Sequence, residues 1–97
     1  MKKFSWNSNK NIELKIERGI SFEIILSQIE GKKVLDIIEH TNKEKYPNQK
    51  IFIVEYNNYA YLVPFVESSS EIFLKTIIPS RKMTKKYIKE IKNGKVK

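Results

Sequence analysis

Residues 51–66, IFIVEYNNYAYLVPFV, decide the fold of this chain, because they form two strand-like segments joined by a tight turn. The segment before the turn is almost entirely apolar, which predicts a central strand covered on both faces. Asn57 and Asn58 tolerate the positive φ angles of a two-residue hairpin turn, and residues 59–66 form the returning strand. Pro64 cannot donate a hydrogen bond to a neighbouring strand, so we expect it at a sheet edge or at a bulge.

The N-terminal segment contains one strand and one ambiguous element. Phe4 and Trp6 alternate, which predicts an edge strand over residues 2–6 with both rings on the core. Stacking of these rings on a nucleic-acid base is the alternative. Residues 12–17 have alternating apolar side chains, which favours a strand. Their composition and the capping residues on either side favour a helix, so this pattern alone leaves both structures open.

A helix is predicted after Ser21, which is a good N-cap. Its apolar side chains recur at positions i, i+3, i+4 and i+7, and they are Phe22, Ile25, Leu26 and Ile29. Gly31 closes the helix, and a strand over residues 34–39 follows. A long polar loop over residues 40–50 begins with the chain's single histidine, His40, and binding residues often collect in such loops.

The last third of the chain predicts a strand over residues 71–78 followed by a basic helix. From Arg81 onward, eight Lys or Arg residues face one acid, so this tail has a net charge of +7 out of the chain's +8. A cationic end on a nearly neutral body is typical of proteins that bind a polyanion or an acidic partner. A solvated basic helix face is the ordinary alternative.

The basic helix is expected to start after Thr84 as its N-cap, because Met83 and Ile88 then occupy the two positions of a hydrophobic staple. Its apolar stripe and its end are assigned to Tyr87, Ile88, Ile91 and Gly94. Lys85 and Lys86 then fall in the first turn, where cations oppose the helix dipole. Such an unfavourable position suggests a function, and an anion docked at the helix start would supply one.

The length predicts a single domain over residues 1–97. The order of the elements predicts the α+β class, with two N-terminal helices and a basic C-terminal helix packed on a small antiparallel sheet. Residues 93–97 are expected to form a frayed basic tail. Without cysteine there is no disulfide or thiolate metal site, and the sequence contains no nucleotide- or metal-binding motif, so we expect no cofactor and no metal. No leader or membrane-spanning run is recognisable, so we expect a cytoplasmic protein without a membrane partner.

Two blocks of the sequence resemble BrnT-type toxins, the small ribonuclease toxins of bacterial type II toxin–antitoxin modules. The first block consists of FSWN (4–7), Lys10 and RGISFE (18–23), and it is similar to the family opening F-x-W-D-x-x-K followed by H-G-[IV]-S-F-E. The second block, IPSRKMTKK (78–86), is similar to the family's I-S-A-R-K-A-T-K/R segment. The two blocks lie at opposite ends of the chain, with a strand meander between them.

The resemblance implies a RelE-like fold, cleavage of RNA in the cytoplasm, and neutralisation by a cognate antitoxin of the ribbon-helix-helix, DNA-binding type. It also favours a helix over residues 12–17. The sequence departs from the family at Asn7, which replaces an Asp, at Arg18, which replaces a His, and in the loop at 46–48, which has no counterpart. A non-catalytic RNA-binding or antitoxin-binding module on the same fold therefore stays open as an alternative.

Metal-free RNA cleavage needs a base for the ribose 2′-hydroxyl, cations for the phosphate and an acid for the leaving oxygen. Arg81 is expected to clamp the phosphate, because a guanidinium binds phosphate bidentately. His40 is of the residue type best suited to proton transfer near neutral pH, and Glu23 matches the family motif as a candidate base. Surface or structural roles are the alternatives for both. RNA contacts are expected from Arg18, Lys82, Lys85, Lys86, Lys10 and Tyr46.

Overall fold

The computed structural model describes residues 2–40 and 42–89 of the chain. Its strands and first helices, in chain order, are β1 (Lys3–Trp6), α1 (Ser8–Arg18), α2 (Phe22–Glu30), β2 (Val34–Glu39), β3 (Gln49–Tyr56), β4 (Tyr59–Glu67), β5 (Glu71–Leu74) and β6 (Ile78–Pro79). A C-terminal helix follows as an α-helical turn, α3 (Arg81–Met83), that continues directly into a π-helical segment (Thr84–Lys89). The predicted α+β class is confirmed.

The central hairpin forms from residues 51–66 as predicted. β3 and β4 pair antiparallel along their whole length, and β3 lies between β4 and β2. The turn residues Asn57 and Asn58 have φ angles of 52° and 60°, so both adopt the left-handed conformation of a type I′ turn. β3 begins at Gln49, two residues before the predicted strand, so the polar loop is shorter than expected.

The N-terminal helices begin at polar N-caps, and Ser21 is the N-cap that the sequence predicted for the second of them. Asn7 caps α1, its side chain accepting a hydrogen bond from the N–H of Lys10 at 2.9 Å, and Gly19 ends α1 with a φ angle of 66°. Ser21 caps α2 by accepting a hydrogen bond from the N–H of Ile24 at 3.2 Å. Both bonds are local, because each joins residues that are three positions apart.

Residues 12–17 belong to α1, so the helical alternative is correct for them. Leu14 is buried at 1% exposure, whereas Ile12 and Ile16 are 55% and 79% exposed. The alternation of apolar side chains at residues 12, 14 and 16 is therefore not the pattern of a strand with one buried face. It arises because two isoleucines lie on the outer surface of a helix whose inner face carries Leu14.

The sheet is mixed, and the predicted antiparallel sheet is wrong at one edge. Its strand order is β1-β5-β4-β3-β2, with β6 pairing alongside β4. β1 runs parallel to β5, with Lys3 opposite Glu71 and Trp6 opposite Leu74. Two helices and three strands separate these partners along the chain, so no hairpin turn fixes their relative direction.

The predicted strand over residues 71–78 is divided into β5 and β6. β5 pairs with the end of β4, β6 pairs with its beginning, and residues 75–77 leave the ladder between them. Pro64 lies in β4 opposite this interruption, where its carbonyl accepts a hydrogen bond from the N–H of Lys75 at 2.8 Å. Since Pro64 has no N–H to offer in return, the interruption occurs where the ladder lacks a donor. Pro64 therefore lies in a central strand whose pairing with β3 is unbroken, so neither the predicted edge position nor the predicted bulge is found there. The ladder is interrupted only on the side of β5 and β6.

The two faces of the sheet carry helices from opposite ends of the chain. On one face, α1 and α2 cover the main core, whose buried residues are Leu14, Ile20, Phe22, Ile25, Phe52, Val54, Val63, Phe65, Leu74 and Ile77. On the other face, the C-terminal helix covers a small cluster of Ile53, Ala60 and Ile88. Side chains of a strand alternate between faces, which is why consecutive residues of β3 serve different clusters.

The C-terminal helix starts at Arg81, and the prediction of a start after Thr84 is wrong. Ser80 is the N-cap, because its side chain accepts a hydrogen bond from the N–H of Met83 at 3.2 Å. Thr84 lies inside the helix with 5% exposure, so no hydrophobic staple is built around it. The first turn consequently carries Arg81 and Lys82, not the predicted Lys85 and Lys86.

The predictions for Ile91, for Gly94 and for a frayed tail at 93–97 lie outside the described residues. Within residues 2–40 and 42–89, no helix has the length and apolar character that a lipid bilayer would require of a spanning segment.

Candidate nucleic-acid interface

The start of the C-terminal helix is fixed against the beginning of β4 by a closed set of hydrogen bonds. The N–H of Ser80 donates to the carbonyl of Ala60 at 3.0 Å, and the N–H of Ala60 donates to Oγ1 of Thr84 at 2.8 Å. The Thr84 hydroxyl in turn donates to the carbonyl of Ser80 at 2.7 Å. The helix start is therefore positioned two residues from the hairpin turn.

A pocket of about 380 Å³ opens between this helix start and the turn. The residues that line it are Asn58, Tyr59, Arg81, Thr84 and Lys85. Its two charged groups are both cations. Such a pocket has a positive potential that attracts an anion.

The basic side chains at the helix start are exposed. Within the described part of the chain, the side chains of Arg81, Lys82 and Lys85 make neither a hydrogen bond nor an ion pair. Lys86 lies over the ring of Tyr87, with its Nζ 5.3 Å from the ring centroid. Four cations on one helix start, of which three have no structural partner among these residues, form a surface suited to phosphate contacts.

Lys32 and Lys33 add positive charge at the same end of the sheet. The N–H of Glu55 donates to the carbonyl of Lys33 at 2.9 Å, which places this lysine pair beside the hairpin turn. Both lysines are exposed. Sequence reasoning missed them, because they are remote in sequence from the basic helix and only the β2–β3 pairing brings them to this end.

Three tyrosines cluster beside the turn, and sequence reasoning missed them as a group. The rings of Tyr59 and Tyr61 are 5.7 Å apart in an edge-to-face arrangement, and those of Tyr56 and Tyr61 are 6.4 Å apart. Burial, with a smaller effect of the other two rings, raises the pKa of Tyr61. The available signal was the two-residue turn, which places Tyr56 directly opposite Tyr59, while Tyr61 follows on the same face.

His40 lies at the opposite end of the sheet from Arg81. Its N–H donates to the carbonyl of Gln49, at the start of β3, and its Nδ1 accepts a hydrogen bond from the N–H of Asn42 at 3.1 Å. Its ring packs on Tyr46, with the centroids 4.4 Å apart. Because β3 has 8 residues, its two ends lie about 24 Å apart, and His40 lies at the end away from the hairpin turn. His40 and Tyr46 therefore contact each other but not the Arg81 pocket.

The His40 end has its own pocket, and its charges are mixed. This pocket, of about 580 Å³, includes two ion pairs, Lys2–Glu67 and Lys43–Glu39, each with a nitrogen–oxygen distance of 2.5 Å. These pairs neutralise much of the local charge. The Arg81 pocket is therefore the better anion site of the two.

Glu23 has a structural role in the first turn of α2. Its Oε1 accepts a hydrogen bond at 2.9 Å from the amide of Asn11, whose oxygen accepts the N–H of Phe22 at 2.8 Å. The hydrogen bond from Asn11, with further support from its own backbone N–H and from Lys15, lowers the pKa of Glu23. A carboxylate with a lowered pKa is a weak base, and Glu23 lies on the helical layer of the opposite sheet face from the C-terminal helix.

The two remaining cations from the first sequence block also make structural contacts. The guanidinium of Arg18 donates through Nη1 to the carbonyl of Ile77, in the interruption between β5 and β6. Lys10 lies 3.9 Å from the carboxylate of Glu13 on the next turn of α1. Arg18 therefore anchors the segment that leads to the helix start, and neither cation lines the Arg81 pocket.

Asp36 and Tyr87 form a contact that sequence reasoning did not predict. The hydroxyl of Tyr87 donates to Oδ2 of Asp36 at 2.6 Å, which ties the C-terminal helix to the edge strand β2. This hydrogen bond lowers the pKa of Asp36 and raises the pKa of Tyr87. Tyr87 thus contributes to docking of the helix rather than to the pocket.

The site as a whole can bind phosphates and planar groups, whereas its candidate proton-transfer groups lie elsewhere. Of the three predicted catalytic side chains, only Arg81 lines the pocket beside the turn, and His40 and Glu23 do not. The titratable side chains that share the pocket with Arg81 are Tyr59 and Lys85. Comparisons of the chain with protein-family models, curated proteins and solved structures found no match.

Proposed function

We propose that the chain is the RNA-directed toxin of a type II toxin–antitoxin module with a RelE-like fold, acting in the cytoplasm through the surface at the start of its C-terminal helix. The observation that carries this proposal is the exposed set Arg81, Lys82 and Lys85, which has no hydrogen bond or ion pair within the described residues. These residues belong to the block at 78–86 that resembles the BrnT-type family. In that block, Ser80 and Thr84 form hydrogen bonds that hold the helix start in place. The cations of the block have no such structural role among the described residues.

In this proposal Arg81 stabilises the charge that develops on the scissile phosphate, because its guanidinium stays charged and offers paired donors. Lys82, Lys85 and Lys86 supply the surrounding positive field and steer the RNA to the surface. Proton transfer is assigned to groups of the same pocket, Tyr59 or Lys85. His40 and Glu23 are too far from Arg81, or too weakly basic, to serve there.

An antitoxin would act by covering the same surface. Because the surface is cationic, the complementary partner is an acidic segment of the antitoxin, which also excludes RNA by occupying the phosphate sites. The resemblance to BrnT-type toxins implies that the gene for this chain is paired with the gene for a small DNA-binding antitoxin.

Induced expression of the chain in bacteria tests the proposal. We expect arrested growth and degraded RNA, and we expect Arg81→Ala to relieve both. Lys50→Ala is the matched control, because it removes one exposed cation at the opposite end of the sheet and should leave both effects intact. Normal growth with intact RNA on expression of the folded wild-type chain would reject the toxin function.

A non-catalytic RNA-binding module is the second candidate, and the separation of Arg81, His40 and Glu23 favours it. Purified protein would then bind RNA in a salt-dependent manner without shortening it. The logarithm of the binding constant should fall with the logarithm of salt concentration by about 0.7 per phosphate contact, and Arg81→Ala should reduce this slope. Cleavage products that appear with wild type but not with Arg81→Ala would select the enzyme instead.

A further inference from the structure

The pocket beside the hairpin turn combines three kinds of group. Tyr59 offers an aromatic ring, Asn58 offers an amide, and Arg81 and Lys85 offer positive charge. A nucleotide unit also has three parts, a flat base, a base edge with donors and acceptors, and a phosphate. The groups of the pocket correspond to these parts one by one.

We propose that this pocket is a subsite for one unpaired nucleobase of single-stranded RNA. The base stacks on the ring of Tyr59, its edge faces the amide of Asn58, and the adjoining phosphate contacts Arg81 and Lys85. This inference rests on the proposed action on RNA and specifies the form of RNA that the surface selects.

The ring of Tyr59 is held in position before any ligand arrives. It is half-buried, it stands opposite Tyr56 across the hairpin, and Tyr61 contacts it edge-to-face at 5.7 Å. A ring fixed by its neighbours loses little conformational freedom when a base stacks on it. Tyr59 is also one of the residues that line the pocket.

Asn58 is placed by the backbone of the turn. The φ angle of Asn58 is 60°, in the left-handed region. Asn58 is exposed, and its side-chain amide makes no hydrogen bond within the described residues. An amide with free donors and acceptors can pair with the edge of a base. Asn57 has nearly the same conformation, with a φ angle of 52°, but it does not line the pocket.

The pocket favours an unpaired base over a duplex. Bases in a duplex are already stacked and paired, so they cannot enter a concave site without leaving the helix. The pocket's volume of about 380 Å³ lies near the small end of the range for ligand sites, which suits one base with its phosphate. The flanking cations can follow the backbone on either side of that base.

Fluorescence anisotropy with three RNA probes tests the inference. The probes are an unpaired strand of about eight nucleotides, the same strand in a duplex, and a strand of equal length in which abasic sites keep the phosphates but remove the bases. Wild type should bind the unpaired strand most tightly, and the abasic strand roughly 5- to 150-fold more weakly. Tyr59→Leu should lower affinity for the unpaired strand to that of the abasic strand, whereas Tyr59→Phe should retain wild-type affinity.

A matched pair of turn variants tests the amide. Both Asn57 and Asn58 adopt left-handed conformations that glycine tolerates, so Asn57→Gly and Asn58→Gly should fold alike. Asn58→Gly should weaken binding to the preferred base about 5-fold and reduce the preference among the four bases. Asn57→Gly should change neither, and equal effects of the two variants would contradict the assignment of Asn58.

The outcomes separate this inference from the proposed function. Equal binding of wild type to all three probes, with a loss in Arg81→Ala, would overturn the base subsite while RNA binding stands. No binding to any probe at low salt would reject RNA binding and the subsite together. Unchanged affinity in a folded Tyr59→Leu protein would also overturn the subsite, since the ring would then contribute nothing.

Discussion

The helices from the two ends of the chain pack on opposite faces of one sheet, but the polar residues in these two regions have different tasks. In the N-terminal region, Asn7 and Ser21 cap helices, Asn11 joins α1 to α2, and Arg18 holds the segment before β6. In the C-terminal region, Ser80 and Thr84 perform comparable structural tasks. The nearby side chains of Arg81, Lys82 and Lys85 make no hydrogen bond or ion pair within residues 2–40 and 42–89.

The two regions also differ in how much apolar surface they bury. The α1/α2 face has ten buried residues in its core, and the face under the C-terminal helix has three within the described residues. Hydrophobic burial contributes to stability roughly in proportion to area. The first face therefore provides most of the hydrophobic stabilisation, while the second mainly positions the start of the C-terminal helix.

The largest expected effect is that of Phe22→Ala. Phe22 is fully buried and stacks on Trp6 with ring centroids 5.6 Å apart, so its loss should lower the free energy of unfolding by about 3–5 kcal/mol. Ile88→Ala, in the small cluster on the other face, should lower it by about 2 kcal/mol. Urea denaturation measures both, and a larger loss in Ile88→Ala would break the proposed difference between the faces.

Asn11→Ala should follow in size. Asn11 is buried at 5% exposure, and its removal leaves the N–H of Phe22 without its acceptor, which costs about 1–3 kcal/mol of unfolding free energy. Glu23→Gln, which keeps an acceptor for the Asn11 amide, should change stability little and leave any RNA cleavage intact. Loss of cleavage in a stable Glu23→Gln protein would show that Glu23 is a catalytic base after all.

Thr84→Val tests the hydrogen bonds that join the start of the C-terminal helix to β4. It removes the acceptor for the N–H of Ala60 while keeping the side-chain shape, so we expect a loss of about 1–2 kcal/mol in urea denaturation. Because the same bond positions the helix start, RNA affinity should fall as well. Thr84→Ser keeps the hydroxyl and serves as the control, and it should retain RNA affinity close to that of wild type.

The smallest expected effect is a pH dependence from the contact between Tyr87 and Asp36. The pKa of Asp36 is lowered below its ordinary value of 3.8 chiefly by the hydrogen bond from Tyr87. Its contribution to stability is thus present above pH 3.8 and lost as the pH falls through the lower, folded-state value. Denaturation curves of wild type and Tyr87→Phe should converge in that acidic range, and a constant difference between them would refute this origin.

Local features of the fold could be predicted because their causes are local. Asn57 and Asn58 specify the hairpin, and Asn7 and Ser21 specify helix starts, through conformations and hydrogen bonds within a few residues. The start of the C-terminal helix could not be predicted this way. Ser80 and Thr84 both have suitable side chains, and the choice depends on the N–H of Ala60, which only the folded sheet brings near.

Long-range features of the fold and of the site could not be predicted, because they depend on pairing. The parallel pairing of β1 with β5 could not be predicted, because no short turn connects the two strands in the sequence. His40 and Arg81 each follow strand-like segments, but only the β3 register shows that they occupy opposite ends of the sheet. Tyr56 and Tyr61 pack against the core under α1 and α2, as their pattern in the sequence would suggest. The position of Tyr59 beside Arg81 and Lys85 appears only when the helix start is docked on β4.

The pocket beside the hairpin turn is built apart from the main core of the domain, because its lining and the ten buried core residues have no member in common. One wall of the pocket comes from a two-residue connection and the other from the helix start, and both join the body of the protein through Ala60. Sequence changes in the connection would alter what the pocket accepts while the ten-residue core on the far face stays unchanged.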